Sequence, residues 1–103
     1  MTRRAVDERM PFVLVRVGVA DYRQWKRVME EHVAKRKELG SKGTRIFRNA
    51  NRPDEIICLT EWGDLDKARE FMKWGDPEEI AKQSSRTGAP EVLFLDQVDS
   101  LAA

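Results

Sequence analysis

The chain has 103 residues, 41% hydrophobic and 36% charged, with 19 Lys and Arg against 18 Asp and Glu for a net charge of +1. That length suits one domain, which by size scaling buries roughly two-thirds of its unfolded surface. The near-neutral balance gives no general attraction to nucleic acid or to an anionic membrane, and a lone cysteine, Cys58, excludes a disulfide framework and fits a reducing, cytoplasmic compartment.

In chain order, MTRRAVDER (1–9) is nearly all polar and has no apolar stretch of signal-peptide type. It is expected to be a flexible N-terminal extension, ahead of a domain at 10–99 and a short tail at 100–103. FVLVRVGV (12–19) is a near-continuous β-branched run and predicts a central strand buried on both faces. DYRQWKRVMEEHVAKRKELG (21–40) predicts one amphipathic helix, with Asp21 accepting from the first free amides, Gln24 at the third helical position and Gly40 supplying a left-handed exit.

GTRIFRN (43–49) and EIICLTEW (55–62) flank ANRPD, whose Pro, Asn and Asp suit a turn, so a β-hairpin is expected. Asp64 caps a second helix with Leu65, Ala68, Phe71 and Met72 inward, and Gly75 ends it. Asp76-Pro77-Glu78-Glu79 then opens a short accessory helix, because proline is accommodated in the first turn and acidic residues favour it. After the polar loop SSRTGAP (84–90), EVLFLDQV (91–98) is the last strand. No run approaches the length of a membrane span.

The order is βαββαβ, the ferredoxin-like α+β plan of an antiparallel sheet with its helices on one face. Such a sheet needs one apolar face, yet here both parities are apolar. Val13, Val15 and Val17 oppose Phe12 and Leu14; Ile57 and Leu59 oppose Ile56, Cys58 and Trp62; Leu93 and Leu95 oppose Val92, Phe94 and Val98. A second copy covers such a surface through a twofold axis, so a homodimer is expected.

On the helix at 21–40, a 100° projection puts Tyr22, Trp25, Val28, Met29, Val33 and Leu39 on one stripe, with His32 and Arg36 near its middle. The chain's only histidine therefore faces inward, either as a packed core residue or as an acid or base titrating near neutrality. Arg16 interrupts the most apolar strand, and a buried arginine is costly without a partner. It is expected either to pair with Glu61 or Asp96, or to join Arg36 in holding a carboxylate, phenolate or enolate oxygen. Tyr22, Trp25, Phe47 and Trp62 are candidate walls of an apolar ring pocket, or plain core. One His, one Cys and dispersed carboxylates make no metal constellation, and no GxGxxG, P-loop or GxSxG occurs, so neither metal nor cofactor is expected. SKGTRIFRN lacks the alternating aromatics that stack RNA bases, so a nucleic-acid partner is not expected.

MPFVLVRVGVADYRQWK, the hairpin from SKGTRIFRN to ICLTEW, and EVLFLDQVD together resemble the dimeric α+β barrel superfamily, in the group similar to antibiotic-biosynthesis-monooxygenase-type domains. The resemblance spans residues 10–99. It implies two ferredoxin-like sheets closing into one barrel, with a small-molecule cavity in each subunit between sheet and helices. With members of that superfamily including cofactor-independent monooxygenases and isomerases, the expectation is a small-molecule-binding protein of that kind acting on an aromatic or enolisable substrate, in which the residues singled out above by position would serve, His32 as catalytic and Arg16, Arg36, Tyr22, Trp25, Phe47 and Trp62 as ligand contacts. A non-catalytic ligand-binding or sensory module and a purely structural dimer are the alternatives. Haem-degrading members resemble the chain at Trp62, but their first-strand asparagine falls at Arg16 and their second-helix histidine has no counterpart.

Overall fold

A computed structural model describes residues 11–103; the expected extension at 1–9 lies outside the described residues. The elements run β1 (Pro11–Gly18), α1 (Tyr22–Glu31), α2 (Val33–Glu38), β2 (Ser41–Asn49), β3 (Arg52–Trp62), α3 (Leu65–Met72), α4 (Pro77–Gln83) and β4 (Glu91–Asp96). The strands form one antiparallel sheet in the order β2-β3-β1-β4, which puts β1 and β3 at its centre as the ferredoxin-like plan requires.

Register decides which side chains share a face, because successive residues of a strand point to opposite sides. Val13, Val15 and Val17 pair across to Thr60, Cys58 and Ile56 on one flank and, for the first two, to Phe94 and Val92 on the other. The helices lie over this face: Trp25 of α1 is buried with Val17, Val19, Ile56 and Cys58, while Ala68 of α3 is buried with Val13, Leu39 and Trp62. The opposite parity carries Phe12, paired with Leu95, Leu14, paired with Leu59 and Leu93, and Ile57, which stands between Arg16 and Phe47. Among the described residues no helix covers that second face, and Leu93 and Phe47 there are 45% and 50% exposed.

The capping chemistry is as the sequence suggests. The Asp21 carboxylate accepts from the Gln24 amide at 3.2 Å, Asp64 from Asp66 and Lys67, and Asp76 from Glu78 and Glu79. Gly40, at φ +98°, makes the turn out of α2 that a residue with a Cβ resists.

One expectation fails. The helix foreseen over 21–40 breaks at His32, whose φ of −98° and ψ of 5° leave the helical region and separate α1 from α2. The Met29 carbonyl accepts the His32 amide at 3.2 Å and the Arg36 Nη2 at 2.7 Å. A side chain inserted into the backbone ladder is a standard cause of a kink, and here the guanidinium two turns downstream supplies it.

Candidate functional site

The sequence candidates separate onto two faces. His32 and Arg36 lie on the helix side, at the α1–α2 break and on α2. Tyr22 and Trp25 lie at the start of α1, their rings 5.7 Å apart, with Arg48 of β2 over Tyr22 at 5.4 Å; Trp25 is buried core. Trp62, also fully buried, ends β3 and packs its ring 5.6 Å from Phe71. Arg16 and Phe47 belong to the opposite, uncovered face and do not meet His32 within one chain.

The partner of Arg16 also differs from expectation. Its guanidinium bonds Glu55 at 3.0 Å and lies 3.4 Å from Glu91, not beside Glu61 or Asp96. The physical reason is register: Arg16 stands opposite Ile57 and Glu91, whereas Glu61 and Asp96 stand opposite Phe12 and Pro11 at the far end of the strand. Glu55 is shared, accepting from Asn49 Nδ2 at 2.6 Å as well, and these hydrogen bonds from Asn49 and Arg16 hold its carboxyl below the usual carboxylate range.

On the helix side a second set of residues converges. The imidazole of His32 meets the Trp74 ring edge-on at 5.0 Å, Trp74 stacks on Phe71 at 6.0 Å, and Arg36 Cζ lies over Phe71 at 5.9 Å. Arg86, in the loop after α4, is pinned by its amide to the Ala81 carbonyl at 3.0 Å and by a β-bridge to Val19. The proton affinity of His32 is lowered, first by burial and then by Arg36, with Glu31 pulling the other way and Arg86 adding a last, smaller lowering. Burial likewise lowers that of Arg36 and Arg86, and it pushes the Cys58 thiol up to about 11 although both guanidinium groups pull it down.

Arg36 also forms part of the wall of a groove of about 330 Å³ between α1–α2 and β2. Met29, Val33 and Ile46 make its sides apolar, Thr44 contributes a hydroxyl, and Lys26, Lys37 and Lys42 make its rim basic against the single acid Glu30. That volume sits at the lower end of the roughly 300–1,000 Å³ of small-molecule sites, enough for one or two fused rings. Among the described residues no group of His, Cys, Asp and Glu could hold a metal ion, and no helix is long and apolar enough to cross a membrane.

Sequence reasoning missed Trp74 and Arg86. Trp74 falls just past a helix end, and Arg86 sits in a loop of small polar residues, so neither has a periodic signal. A cation flanked by Ser and Thr in the loop preceding the last strand was the available hint.

No protein-family model matches the chain, and no curated protein matches it. Solved structures do. A candidate antibiotic biosynthesis monooxygenase from Bordetella bronchiseptica superposes with a TM-score of 0.72 at 15% identity, over 88% of this chain and 99% of that one. Another such candidate, from Caulobacter crescentus, gives 0.69 at 19%, over 90% and 93%. SnoaB of Streptomyces nogalater, a cofactor-independent oxygenase, gives 0.68 at 13%, over 92% and 98%. The chain has the fold of these monooxygenase-like proteins. The resemblance read from its strands and hairpin holds at the level of fold, across nearly the whole length of each neighbour.

Proposed function

We propose that the chain is a small-molecule-binding protein of the monooxygenase-like fold. In this reading it works as a homodimer closed through the uncovered sheet face and acts on an aromatic or enolisable substrate without a cofactor. The observation that carries this reading is Arg36: a half-buried guanidinium on the wall of an apolar groove, with no carboxylate partner among the described residues, one turn from the only histidine. An unpaired buried cation is costly, and an oxygen that becomes negative in the reaction repays the cost.

The chemistry follows from what each group can do. With its proton affinity lowered, His32 is neutral at neutral pH and free to take a proton from carbon or phenol oxygen. Arg36 holds the resulting enolate or phenolate oxygen, and the electron-rich carbanion is then the reductant for dioxygen, or is reprotonated elsewhere in an isomerisation. Cys58, protonated and buried, takes no part.

Tyr22, Trp25, Trp62, Phe47 and Arg16 stand differently in this reading. Trp25 and Trp62 shape the layer from within, Tyr22 and Arg48 close its far end, and Phe47 and Arg16 serve the face between copies. A non-catalytic binding module is the second reading, favoured by one observation: among the described residues no hydrogen bond orients the His32 ring, which a catalytic imidazole ordinarily has.

The test is oxygen uptake with dithranol, an enolisable hydroxyanthrone, alongside quenching of tryptophan fluorescence. Uptake above the buffer rate that falls at least about a hundredfold in His32→Ala, the usual range for loss of a general base, supports the enzyme. Quenching without uptake supports the binding module. Neither quenching nor uptake, with this probe and a panel of bicyclic phenols, overturns the reading.

A further inference from the structure

The groove between α1–α2 and β2 concentrates positive charge that the balance of the whole chain does not predict. Lys26, Arg36, Lys37 and Lys42 line it against one carboxylate, Glu30, in a protein whose net charge is +1. None of these four cations joins an ion pair among the described residues, whereas Arg16, Lys35, Lys67 and Arg69 all do. Basic residues in the last turn of α2 complement its dipole, which accounts in part for Arg36 and Lys37. It accounts for neither Lys26 on α1 nor Lys42 on β2.

Lys42 owes its place to an irregularity of the sheet. Ser41 stands opposite Trp62 and Gly43 opposite Glu61, so Lys42 is an extra residue with no opposite number on β3. A bulge of this kind re-aims a side chain, and Gly43, at φ +137°, adopts a backbone conformation that a Cβ would resist. The chain also reverses at Gly40, so Arg36 and Lys37 before the turn and Ser41 and Lys42 after it bound one end of the groove. Met29, Val33 and Ile46 give the remaining length an aliphatic lining.

We propose that this groove binds an organic acid, with a carboxylate at the end formed by Arg36, Lys37 and Lys42 and an apolar body of one or two rings along Met29, Val33 and Ile46. This rests on the small-molecule-binding reading above and narrows its ligand from a ring compound in general to an anionic one. The three lysines are exposed, and exposed charges act on a ligand before it docks. The charge they match is therefore one that the ligand carries in solution, not one generated during a reaction. Half-buried Arg36 adds a directional contact, since it gives one donor to the Met29 carbonyl and a guanidinium has five. With its charge at the wet rim and its hydrocarbon against the wall, the acid gains apolar burial without full desolvation of either ion.

The experiment compares 2-naphthoate with 2-naphthamide, nearly the same shape without the charge, by calorimetry on the full chain at low and high salt. At low salt the acid is expected to bind at least about tenfold more tightly, the scale of one charge-assisted pair, and the advantage should shrink as salt screens the rim. Lys37→Gln combined with Lys42→Gln should lose most of the preference while binding the amide as the wild-type chain does, which shows that the variant is folded. Lys73→Gln combined with Lys82→Gln, the same change of charge outside the groove, should keep the preference. Equal binding of acid and amide by the wild-type chain overturns the acid site and leaves the binding reading intact. A preference that survives the first pair of changes, or falls equally with the second, overturns the groove as its source. Binding of neither compound overturns both readings.

Discussion

Leu93→Asp tests the sheet-face dimer most directly. Leu93 lies on β4 opposite Leu14, on the face that no helix covers among the described residues, and is 45% exposed in the single chain. A leucine presents about 180 Å² when fully exposed, so roughly 80 Å² remains for a partner to cover, worth ~2 kcal/mol at about 25 cal/mol per Å². A twofold axis counts it in each copy, giving ~4 kcal/mol, and the aspartate adds the cost of burying a charge, so the dimer should weaken by on the order of a thousandfold or more. Sedimentation velocity at micromolar concentration reads the outcome: if the proposed dimer forms, the wild-type chain should run at twice the 11.9 kDa of one copy, and the variant at one copy. Trp74→Asp is the control, since Trp74 is similarly exposed, at 40%, but lies on the helix side and should leave the mass unchanged. A monomeric wild-type chain, or a Leu93→Asp variant that stays dimeric with an unchanged melting curve, refutes the reasoning.

Three further outcomes follow from the helix side. Because the folded state lowers the His32 proton affinity below its ordinary 6.5, the unfolded chain binds the proton more readily; stability therefore falls as pH drops through that value, and His32→Gln should flatten this part of a urea-midpoint profile. Trp62→Ala should cost about 3–5 kcal/mol in chemical denaturation, as for other large core truncations. Trp62→Phe should cost much less, since the indole N–H it removes is buried without a partner. Cys58, buried with its thiol pushed up to about 11, should resist alkylation by iodoacetamide at neutral pH until denaturant is added; rapid labelling of the native chain would contradict the described packing.

The sheet was legible in the sequence because strand chemistry is local. β-branched runs, and Asp64 and Asp76 ahead of their helices, each report a short-range preference that the structure respects, whereas the turn expected over ANRPD tightens to Ala50 and Asn51, with Arg52, Pro53 and Asp54 already in β3. The two apolar parities were readable for the same reason: period-2 alternation assigns faces without any tertiary information. Register was not readable, since it depends on how β1 slides against β3 and β4, and it is register that gives Arg16 to Glu55 and Glu91 and sets Arg16 and Phe47 apart from His32.

The helix break is the clearest case of a signal that periodicity cannot carry. The stripe from Tyr22 to Leu39 projects as one surface, yet Arg36 turns back to take the Met29 carbonyl and the backbone opens at His32. The exchange has a direct effect on the site. An unbroken helix would continue the stripe past His32; the break instead sets the imidazole against Trp74, while Val33, at 41% exposure, borders the groove instead of the core. The residue that opens the helix also lines the groove, so its two roles fall on the same guanidinium. Arg36→Met should then do two things at once, freeing the Met29 carbonyl and removing the cation from the groove wall. Arg36→Lys, which restores a charge without the fork, should separate them: if the kink depends on the planar fork, the amides near His32 will exchange with solvent at a changed rate in both variants, and if charge alone suffices, only in the methionine variant.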